Sequence, residues 1–575
     1  MEEIFVCSSR NCQMIMQKLL RAEWITWTPG RGRGNRSLLS FRQNREELLL
    51  QTAKSHVEKG QLKEAIQFVD TYTATDWERA QFHEWLGKQF GYQPLFIHNQ
   101  RVDTVRLFFP YPFFCLDPAQ IQYSFQKHIV NQLFDRLVRF DKEKQLPEPS
   151  LAHYWEANSE GDVWRFYLRK GILFHHGKEM NAHDVCYTLF RLKQLSTQLP
   201  GLSSYEAIRK VVNTGEYSLE IELHQANHGF IHYLASERAS IIPKGICEEM
   251  GERFSLQPLG TGPFRVERND CDLLVLHAHD TYFQGRAHLD QIELWVVADE
   301  ELTRKSVSED AYNIHLGAKT EQETSWKSIT RQAVGCKMLF WNRKKNGWGC
   351  NERFRQALFS AVDQKAFLEQ LGNENMLPAD RLIGGAVEAP REAASKEEVN
   401  SLLQASGYKG EAIRLYTYSF QRNEQEAEWL AKQWEQFGIR VEITVFAPHE
   451  FGSTEFFEQA DLFLYYQAAD ENKELFLLEM YASPGSILRR YFSQELNRKI
   501  DDDVPGIVQE AAASRRLARL ERLEQQIKQN WTVQFLYHRH ECASYHPSLQ
   551  GVTLNALGWV SFKDIWFQDK AANSV

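Results

Sequence analysis

The chain begins with a basic, glycine-rich stretch, "CSSRNCQMIMQKLLRAEWITWTPGRGRGNRSLLSF", at residues 7–41. Helical spacing of its apolar residues after Ser8, a residue type that often caps helices, predicts one amphipathic helix. Two strand-like runs, "WITWTP" and "RSLLSF", then flank a glycine-rich tip and predict a hairpin. With "EEIFV" taken as the end of a preceding helix, this order predicts a winged helix-turn-helix. The apolar stripe consists of Cys12, Ile15, Met16 and Leu19.

The other side of the predicted helix is polar. Its side chains are short or can form two hydrogen bonds, which suits contacts with base edges and phosphates. In the hairpin tip, arginines are expected to contact DNA phosphates. The predicted DNA-binding residues are Ser9, Arg10, Gln13 and Gln17 on the helix and Arg31, Arg33 and Arg36 in the wing.

Charge is distributed unevenly along the chain. Residues 1–45 contain eight basic and three acidic residues, a net charge of +5, which leaves −14 for the remainder of a chain whose formal net charge is −9. A positive module on a negative body is typical of a nucleic-acid-binding head. A basic, solvated surface that binds nothing is the alternative interpretation.

The head also lacks one expected element. A winged helix has a further helix before the helix-turn-helix pair, and here only "MEEIFV" precedes the turn. The apolar stripe of the recognition helix would then lack a partner on one side. We therefore expect either an in-frame upstream segment of about twenty to thirty residues with an amphipathic helix, or weakened DNA binding by this form.

The bulk composition describes a folded, multidomain protein. Its 575 residues exceed one ordinary core, and a hydrophobic content of 43% excludes wholesale disorder. We find no run of about 18 apolar residues and no secretory signal. The nine scattered cysteines include no CxxC, which favours reduced thiols in a cytoplasmic protein over disulfides or a zinc site.

Behind the head, residues 46–100 are rich in helical apolar spacing and predict a helical connector, for which we also consider a homodimerising role. From residue 101, strand-like and helical segments alternate over more than 450 residues. This pattern predicts an α/β organisation with more than one lobe.

The order of several segments carries a family resemblance. "LRKGILFHHGKEMNAHDV" at 168–185 is followed by "LGTGPF", "FRQALFSAVDQ" and "FGIRVEI". This series resembles the family 5 solute-binding proteins, which deliver oligopeptides, dipeptides or nickel to ABC transporters. The head, and the C-terminal "LNALGWVSFKDIWF", resemble the SgrR family, whose members join a winged helix to such a binding domain.

The resemblance implies a hinged, two-lobed type II binding domain with ligand between the lobes. We expect lobe I at about 101–296 plus 531–575, and lobe II at about 297–530. Ligand binding would shift an equilibrium between open and closed forms. Transport relatives present the closed form to a permease, whereas here it would control a DNA-binding head.

One ligand position follows from the resemblance. Peptide-binding relatives use an aspartate of a W-x-A-D-Y-x-D-P segment to hold the peptide's amino terminus. In "LFLYYQAADENKELF" that aspartate corresponds to Asp470, but the tryptophan and the Tyr-x-Asp-Pro are absent. A sugar-phosphate, a divergent peptide or another small solute therefore all stay open. Tyr465 and Tyr466 are candidates for stacking on the ligand, although aromatic residues in an alternating run usually belong to a core.

No enzyme motif is complete. "HHGKE" at 175–179 lacks the HExxH spacing, "GRGRGN" lacks the end of a P-loop, and "GTGPF" lacks the context of a dinucleotide site. We expect no catalytic residues, no metal and no cofactor. The sequence thus predicts a cytoplasmic, ligand-sensing transcriptional regulator that binds DNA and a small solute. The alternative is a peptide- or solute-binding component of an ABC transporter with no role on DNA.

Overall fold

The computed structural model describes residues 8–30, 37–42, 44–73, 75–97, 100–109, 111–297, 314–316, 326–332, 335–371, 376–384, 387, 389–419, 422–447, 458–468, 471–555 and 557–568. In these ranges no helix is long and apolar enough to cross a membrane.

The head contains the predicted helix and hairpin: α1 (Ser9–Arg21), β1 (Ile25–Thr28) and β2 (Leu38–Phe41). Ser8 occupies the N-cap position with extended backbone, but its side chain makes no capping hydrogen bond. The two strands pair antiparallel, with Ile25 opposite Phe41. The predicted preceding helix and the hairpin tip lie outside the described residues.

Three helices follow as the connector: α2 (Arg45–Glu58), α3 (Leu62–Tyr72) and α4 (Asp76–Gly87). Asn44 caps α2 and a Thr75–Glu78 capping box begins α4, so sequence alone specifies both starts. The apolar faces of these helices form one core with strands of the next domain. That core includes Val57, Leu62, Phe82, Leu86, Leu273, Val275 and Trp295.

Lobe I contains two sheets of four or more strands and one two-stranded hairpin. Its elements are β3 (Gly91–Ile97), β4 (Gln100–Phe109), α5 (Ser124–Leu133), β5 (Val138–Asp141), β6 (Leu146–Pro149), β7 (Ala152–Ala157), β8 (Val163–Leu168), α6 (Ala182–Ser196), β9 (Ile208–Gly215), β10 (Ser218–Leu223), α7 (Phe230–Tyr233), α8 (Ile246–Met250), α9 (Arg253–Leu256), β11 (Phe264–Asn269), β12 (Leu273–Ala278) and β13 (Gln291–Val296). One sheet has the order β11-β12-β13-β4-β3, and the other has the order β7-β8-β10-β9.

The elements from residue 314 onward are β14 (Ile314–Leu316), β15 (Lys327–Gln332), β16 (Gly335–Trp341), α10 (Glu352–Ser360), α11 (Gln364–Leu371), β17 (Met376–Pro378), α12 (Lys396–Ser406), β18 (Ile413–Tyr418), α13 (Asn423–Glu435), β19 (Val441–Phe446), β20 (Leu462–Ala468), α14 (Lys473–Leu477), a π-helix (Leu478–Ala482), α15 (Ile487–Tyr491), α16 (Gln494–Val508), α17 (Ala513–Gln529), β21 (Val533–Tyr545), β22 (Leu549–Gln550) and β23 (Trp566–Phe567). Lobe II is built on an eight-stranded sheet with the path β14-β21-β16-β20-β18-β19, to which β15 and β17 add by pairing with β21. β22 pairs with β23, and Leu549 of β22 belongs to the lobe I core.

Two predicted boundaries differ from the structure. β3, placed in the connector by the sequence, is the edge strand of the lobe I sheet, because it pairs along its length with β4. The segment 531–575 was expected in lobe I, but β21 begins inside the lobe II sheet and pairs there with β16. Farther along, Ala543 of the same strand belongs to the lobe I core. β21 therefore runs from one lobe to the other.

Candidate functional site

The polar face of α1 is exposed as the sequence predicts. Ser9, Arg10, Gln13 and Gln17 are all exposed, while Cys12 on the opposite side is buried. The other members of the stripe, Ile15, Met16 and Leu19, are half-buried. Base contact by the four polar residues stays a prediction, and Arg31, Arg33 and Arg36 lie outside the described residues.

A second candidate site lies between the lobes. A cavity of about 50 Å³, here called the interlobe cavity, has one wall from lobe I and one from lobe II. α5 and the 3-10 helix Glu237–Ala239 position the first wall, and the end of β20, α14 and the π-helix position the second. The lining residues are Lys127, Ser236, Glu237, Gln467, Ala468, Leu475, Phe476, Glu479 and Met480. A larger depression of about 620 Å³ on lobe II shares no residue with this cavity.

The carboxyl groups of the cavity differ in environment. Burial raises the pKa of Glu237, but Arg136 and Lys127 more than offset this effect, so its pKa lies below the ordinary value. Burial raises the pKa of Glu479, against the weaker attraction of Lys127 and Arg238. The cavity thus combines an ionised carboxylate with a second one that ionises less readily.

Around this cavity the lobes touch. The second sheet of lobe I and its flanking loops contact residues 471–508 through direct hydrogen bonds. The donor and acceptor pairs are Gln145 Nε2 to Glu471 O (3.3 Å), His232 Nδ1 with Asn472 Oδ1 (3.0 Å), Ser203 Oγ with Ser483 Oγ (2.8 Å) and His228 N to Val508 O (2.8 Å). The structure therefore shows the lobes closed against each other on this side.

The predicted ligand residues are close in sequence to residues that line the cavity. Asp470 lies outside the described residues, two positions beyond Ala468, which lines the cavity. Tyr465 packs beside Tyr418 with a ring distance of 5.5 Å, and the Arg539 guanidinium lies 5.0 Å from the Tyr466 ring centre. Neither tyrosine lines the cavity, so ligand contact by any of these three residues stays a prediction.

The π-helix that carries Glu479 is held in place by hydrogen bonds to a buried carboxylate. Tyr481 donates a 2.6 Å hydrogen bond to Glu524 Oε2, and the Leu382 amide donates to the same oxygen at 3.1 Å. Glu524 is 4% exposed, and its burial raises its pKa from 4.5 to about 7. These hydrogen bonds hold the π-helical turn that forms part of the cavity wall. Turns of this kind often mark functional positions.

We expect Glu524 to make the protein less stable as the pH rises. Between pH 4.5 and about 7 the folded state retains a proton that the unfolded state has released, so its stabilising contribution is complete below pH 4.5 and is lost by about pH 7. The loss amounts to about 3 kcal/mol. Urea unfolding of wild type and Glu524→Gln at pH 5 and pH 8 measures it, since the amide oxygen still accepts both hydrogen bonds. Equal pH dependence of the two proteins would contradict this assignment.

Two histidines, His175 and His538, contact backbone groups of the fold. His175 accepts from the Gly260 amide at 3.2 Å, and its other ring nitrogen lies 3.1 Å from Gly262 O. His538 lies 2.7 Å from Gly335 O. Among the described residues, the one group of three potential metal ligands is the surface run Asp270, Cys271 and Asp272.

Sequence reasoning missed the charged residues of the cavity. Glu479 stands alone in the apolar run "LFLLEMYA" (475–482), and an isolated carboxylate in such a run is the signal that could have revealed it. Lys127 and Glu237 give no comparable signal, because only the fold brings their segments to the cleft.

Comparison with known proteins agrees with this architecture. Residues 147–488 match the family of bacterial extracellular solute-binding proteins, family 5 (middle region), and residues 1–92 match the N-terminal domain of the sugar transport-related sRNA regulator. The uncharacterised protein YhjP of Bacillus subtilis is 30% identical over 97% of this chain and 94% of its own length. The HTH-type transcriptional regulator SgrR of Yersinia pestis is 27% identical over 98% of this chain and 94% of its own.

Solved structures show the same fold for the binding domain. The dipeptide-binding protein of Pseudoalteromonas sp. SM9913, in complex with Met-Leu, superposes with a TM-score of 0.70 at 18% identity, covering 80% of this chain and 100% of its own. The oligopeptide-binding protein AppA of Bacillus subtilis, with a nonapeptide, gives 0.69 at 18% identity over 81% and 99%. The chain belongs to the SgrR family of transcriptional regulators, in which an N-terminal regulator domain precedes a family 5 solute-binding domain.

Proposed function

We propose that the head of this regulator binds DNA through α1 and the wing, and that a small solute in the interlobe cavity controls this binding. The observation that carries the proposal is the packing of the connector. Its helices share a core with β12 and β13 of lobe I, and Lys63 of α3 forms a 2.9 Å ion pair with Asp272. The head is thus attached to a packed unit rather than to a free linker.

This attachment provides a physical route for control. Because α2–α4 are packed on lobe I, a change in the arrangement of the lobes also changes the position of the head relative to lobe II. A ligand with higher affinity for one arrangement would shift that equilibrium. The name of the Yersinia relative, a transcriptional regulator, supports the DNA-binding half of the proposal.

We propose that the protein acts in the cytoplasm, where DNA is accessible, and that it is a binding protein rather than an enzyme. Proteins of the same fold hold a dipeptide or a nonapeptide in their solved structures. A peptide, a sugar-phosphate or a related metabolite is accordingly the proposed class of ligand.

The wing provides the sharpest test of DNA contact. We expect replacement of Arg31, Arg33 and Arg36 by alanine to weaken binding to specific and random DNA alike. The slope of log K against log salt should flatten by about 2–3, at about 0.9 for each lost phosphate contact. Fluorescence anisotropy over a salt series measures this slope.

A matched control uses three exposed arginines of lobe II, Arg353, Arg498 and Arg522, also replaced by alanine. This control removes the same total charge without touching the head and should leave the slope unchanged. A slope that is equal in the wing variant and the wild type would show that the wing does not touch the DNA backbone.

A further inference from the structure

A buried histidine of lobe I lies against polar residues of lobe II. His232, the third residue of α7, is 2% exposed, and its Nδ1 lies 3.0 Å from Asn472 Oδ1. Its Nε2 lies 3.4 Å from Glu474 Oε2. Asn472 caps α14 and Glu474 belongs to its first turn, so both contacts join the two lobes and are lost when the lobes separate.

The charge of Glu474 is already balanced within lobe II. Arg516 of α17 donates to both carboxylate oxygens, from Nε at 2.5 Å and from Nη2 at 3.2 Å, and both side chains are buried. Phe140 of β5 faces the imidazole with its ring, whose centre lies 5.9 Å away, and adds no charge. Among the described residues, the charged groups that face His232 are therefore one carboxylate and one guanidinium, whose charges cancel.

A proton on His232 would break this balance. The imidazolium would add an uncompensated positive charge to a buried place, close to the Arg516 guanidinium. Its contact with Glu474 is longer than an ordinary charge-assisted hydrogen bond, and Arg516 already holds that carboxylate. Burial lowers the pKa of His232 below its ordinary value, and the attraction of Glu474 does not restore it. In an open form the ring contacts water, and its pKa returns to about 6.5.

We propose that His232 makes closure of the lobes sensitive to pH, so that the proton is an effector of this protein in addition to the solute. Protons bind the open form more readily than the closed form, so acidification favours the open form. Closure is most favourable above about pH 6.5, where His232 is neutral in both forms, and it weakens as the pH falls below that value. The equilibrium constant for closure should be about 10-fold lower at pH 5.5 than at pH 8.

This effect is separate from the one expected for Glu524. The contacts of Glu524 lie inside lobe II, and its titration changes the free energy of unfolding in the opposite direction with pH. His232 acts across the boundary between the lobes, so the quantity to measure is lobe separation rather than unfolding. The inference goes beyond the proposed function, because the lobes can respond to pH whether or not DNA binding responds to the lobes.

A backbone amide in the same interface reports lobe separation. His228 N donates a 2.8 Å hydrogen bond to Val508 O across the lobes, so this amide exchanges with solvent when they separate. Hydrogen exchange of the full chain at pH 5.5 and pH 8, resolved to single residues by mass spectrometry and corrected for intrinsic rates, gives its protection factor. We expect this factor to be about 10-fold lower at pH 5.5. The amides of Leu223 and Trp341, which donate within lobe I and within lobe II, should not lose protection.

Neutral replacements of His232 remove the titrating group. Glutamine places its amide near the position of Nε2 and asparagine near that of Nδ1, so the two variants perturb the packing differently. His232→Gln and His232→Asn should each show the same His228 protection at both pH values. His153→Gln, the same substitution at an exposed position of lobe I, is the matched control and should behave like wild type.

Two results would overturn the proposal: His228 protection in the wild type that does not fall at pH 5.5, or a fall of equal size in either neutral variant. DNA affinity distinguishes this inference from the proposed function. If wild type opens at pH 5.5 and His232→Gln does not, yet both bind DNA equally at that pH, the pH response stands and lobe control of DNA binding is contradicted.

Discussion

Replacement of Glu426 by alanine is expected to destabilise lobe II by about 3–5 kcal/mol, because it leaves a buried lysine without its counter-charge. Lys337 on β16 is fully buried, and its Nζ lies 2.8 Å from Glu426 Oε2 and 2.6 Å from Asn423 Oδ1. Tyr537 donates a 2.7 Å hydrogen bond to the other Glu426 oxygen. Burial lowers the pKa of Lys337 even though Glu426 opposes this shift.

A double-mutant cycle separates the pair from its surroundings. Lys337→Met alone and Glu426→Leu alone should both be destabilising, because each leaves one charge buried without its partner, whereas the two substitutions together should cost less than either one. Calorimetric unfolding of the four proteins measures these differences. Additive effects of the two single substitutions would show that the charges do not interact.

The second large effect is expected at Gly262. A Cβ built at this position would lie 2.4 Å from the carbonyl carbon of Leu133 and 2.5 Å from the amide nitrogen of Phe134, both backbone atoms that cannot move aside. The Gly262 amide also donates a 3.0 Å hydrogen bond to Leu133 O. We expect Gly262→Ala to destabilise lobe I by about 3 kcal/mol or more.

Gly347→Ala serves as the control for the Gly262 substitution. Its backbone is extended, and the nearest atoms to its built Cβ are 3.8 Å away, which is ordinary contact. Its effect on unfolding should stay within about 0.5 kcal/mol. Similar Tm values for Gly262→Ala and the wild type would mean that α5 and this loop are packed less closely than the structure shows.

The same glycine shows what sequence can and cannot specify. "LGTGPF" indicated the family by its order in the chain and lacked the context of a nucleotide site. Its physical role follows only from the three-dimensional contact, because the loop packs on the end of α5, more than one hundred residues earlier. Local signals were sufficient elsewhere: the helix α1 after Ser8 and the head hairpin both lie where the sequence predicts them.

Three other features of the fold were not predicted from the sequence, and two of them depend on contacts between distant segments. The run at 351–371 has one helical pattern but forms α10 and α11, because Asp363 interrupts it and accepts the Ala366 amide at 2.8 Å. β21 crosses between lobes, and a local pattern of alternating residues gives no sign of that crossing. The cavity carboxylates belong to segments more than two hundred residues apart, so only the fold brings them together.

Closure of the lobes is proposed to control DNA binding, and this control can be tested without knowing the ligand. Ser203 of lobe I and Ser483 of lobe II have hydroxyl oxygens 2.8 Å apart, so cysteines at both positions lie within reach of a disulfide. Replacing the exposed Cys271 and Cys350 by serine avoids competing reactions. The DNA is the genomic fragment that the purified wild-type chain enriches from a fragment library.

The decisive measurement is the affinity of Ser203→Cys/Ser483→Cys for that DNA in the oxidised and the reduced state, beside the two single-cysteine proteins. We expect that locking the lobes changes the affinity for DNA by about 5-fold or more, and that the single-cysteine proteins show no change on oxidation. Equal affinities of the locked and unlocked protein, or the recovery of no specific fragment, would contradict it.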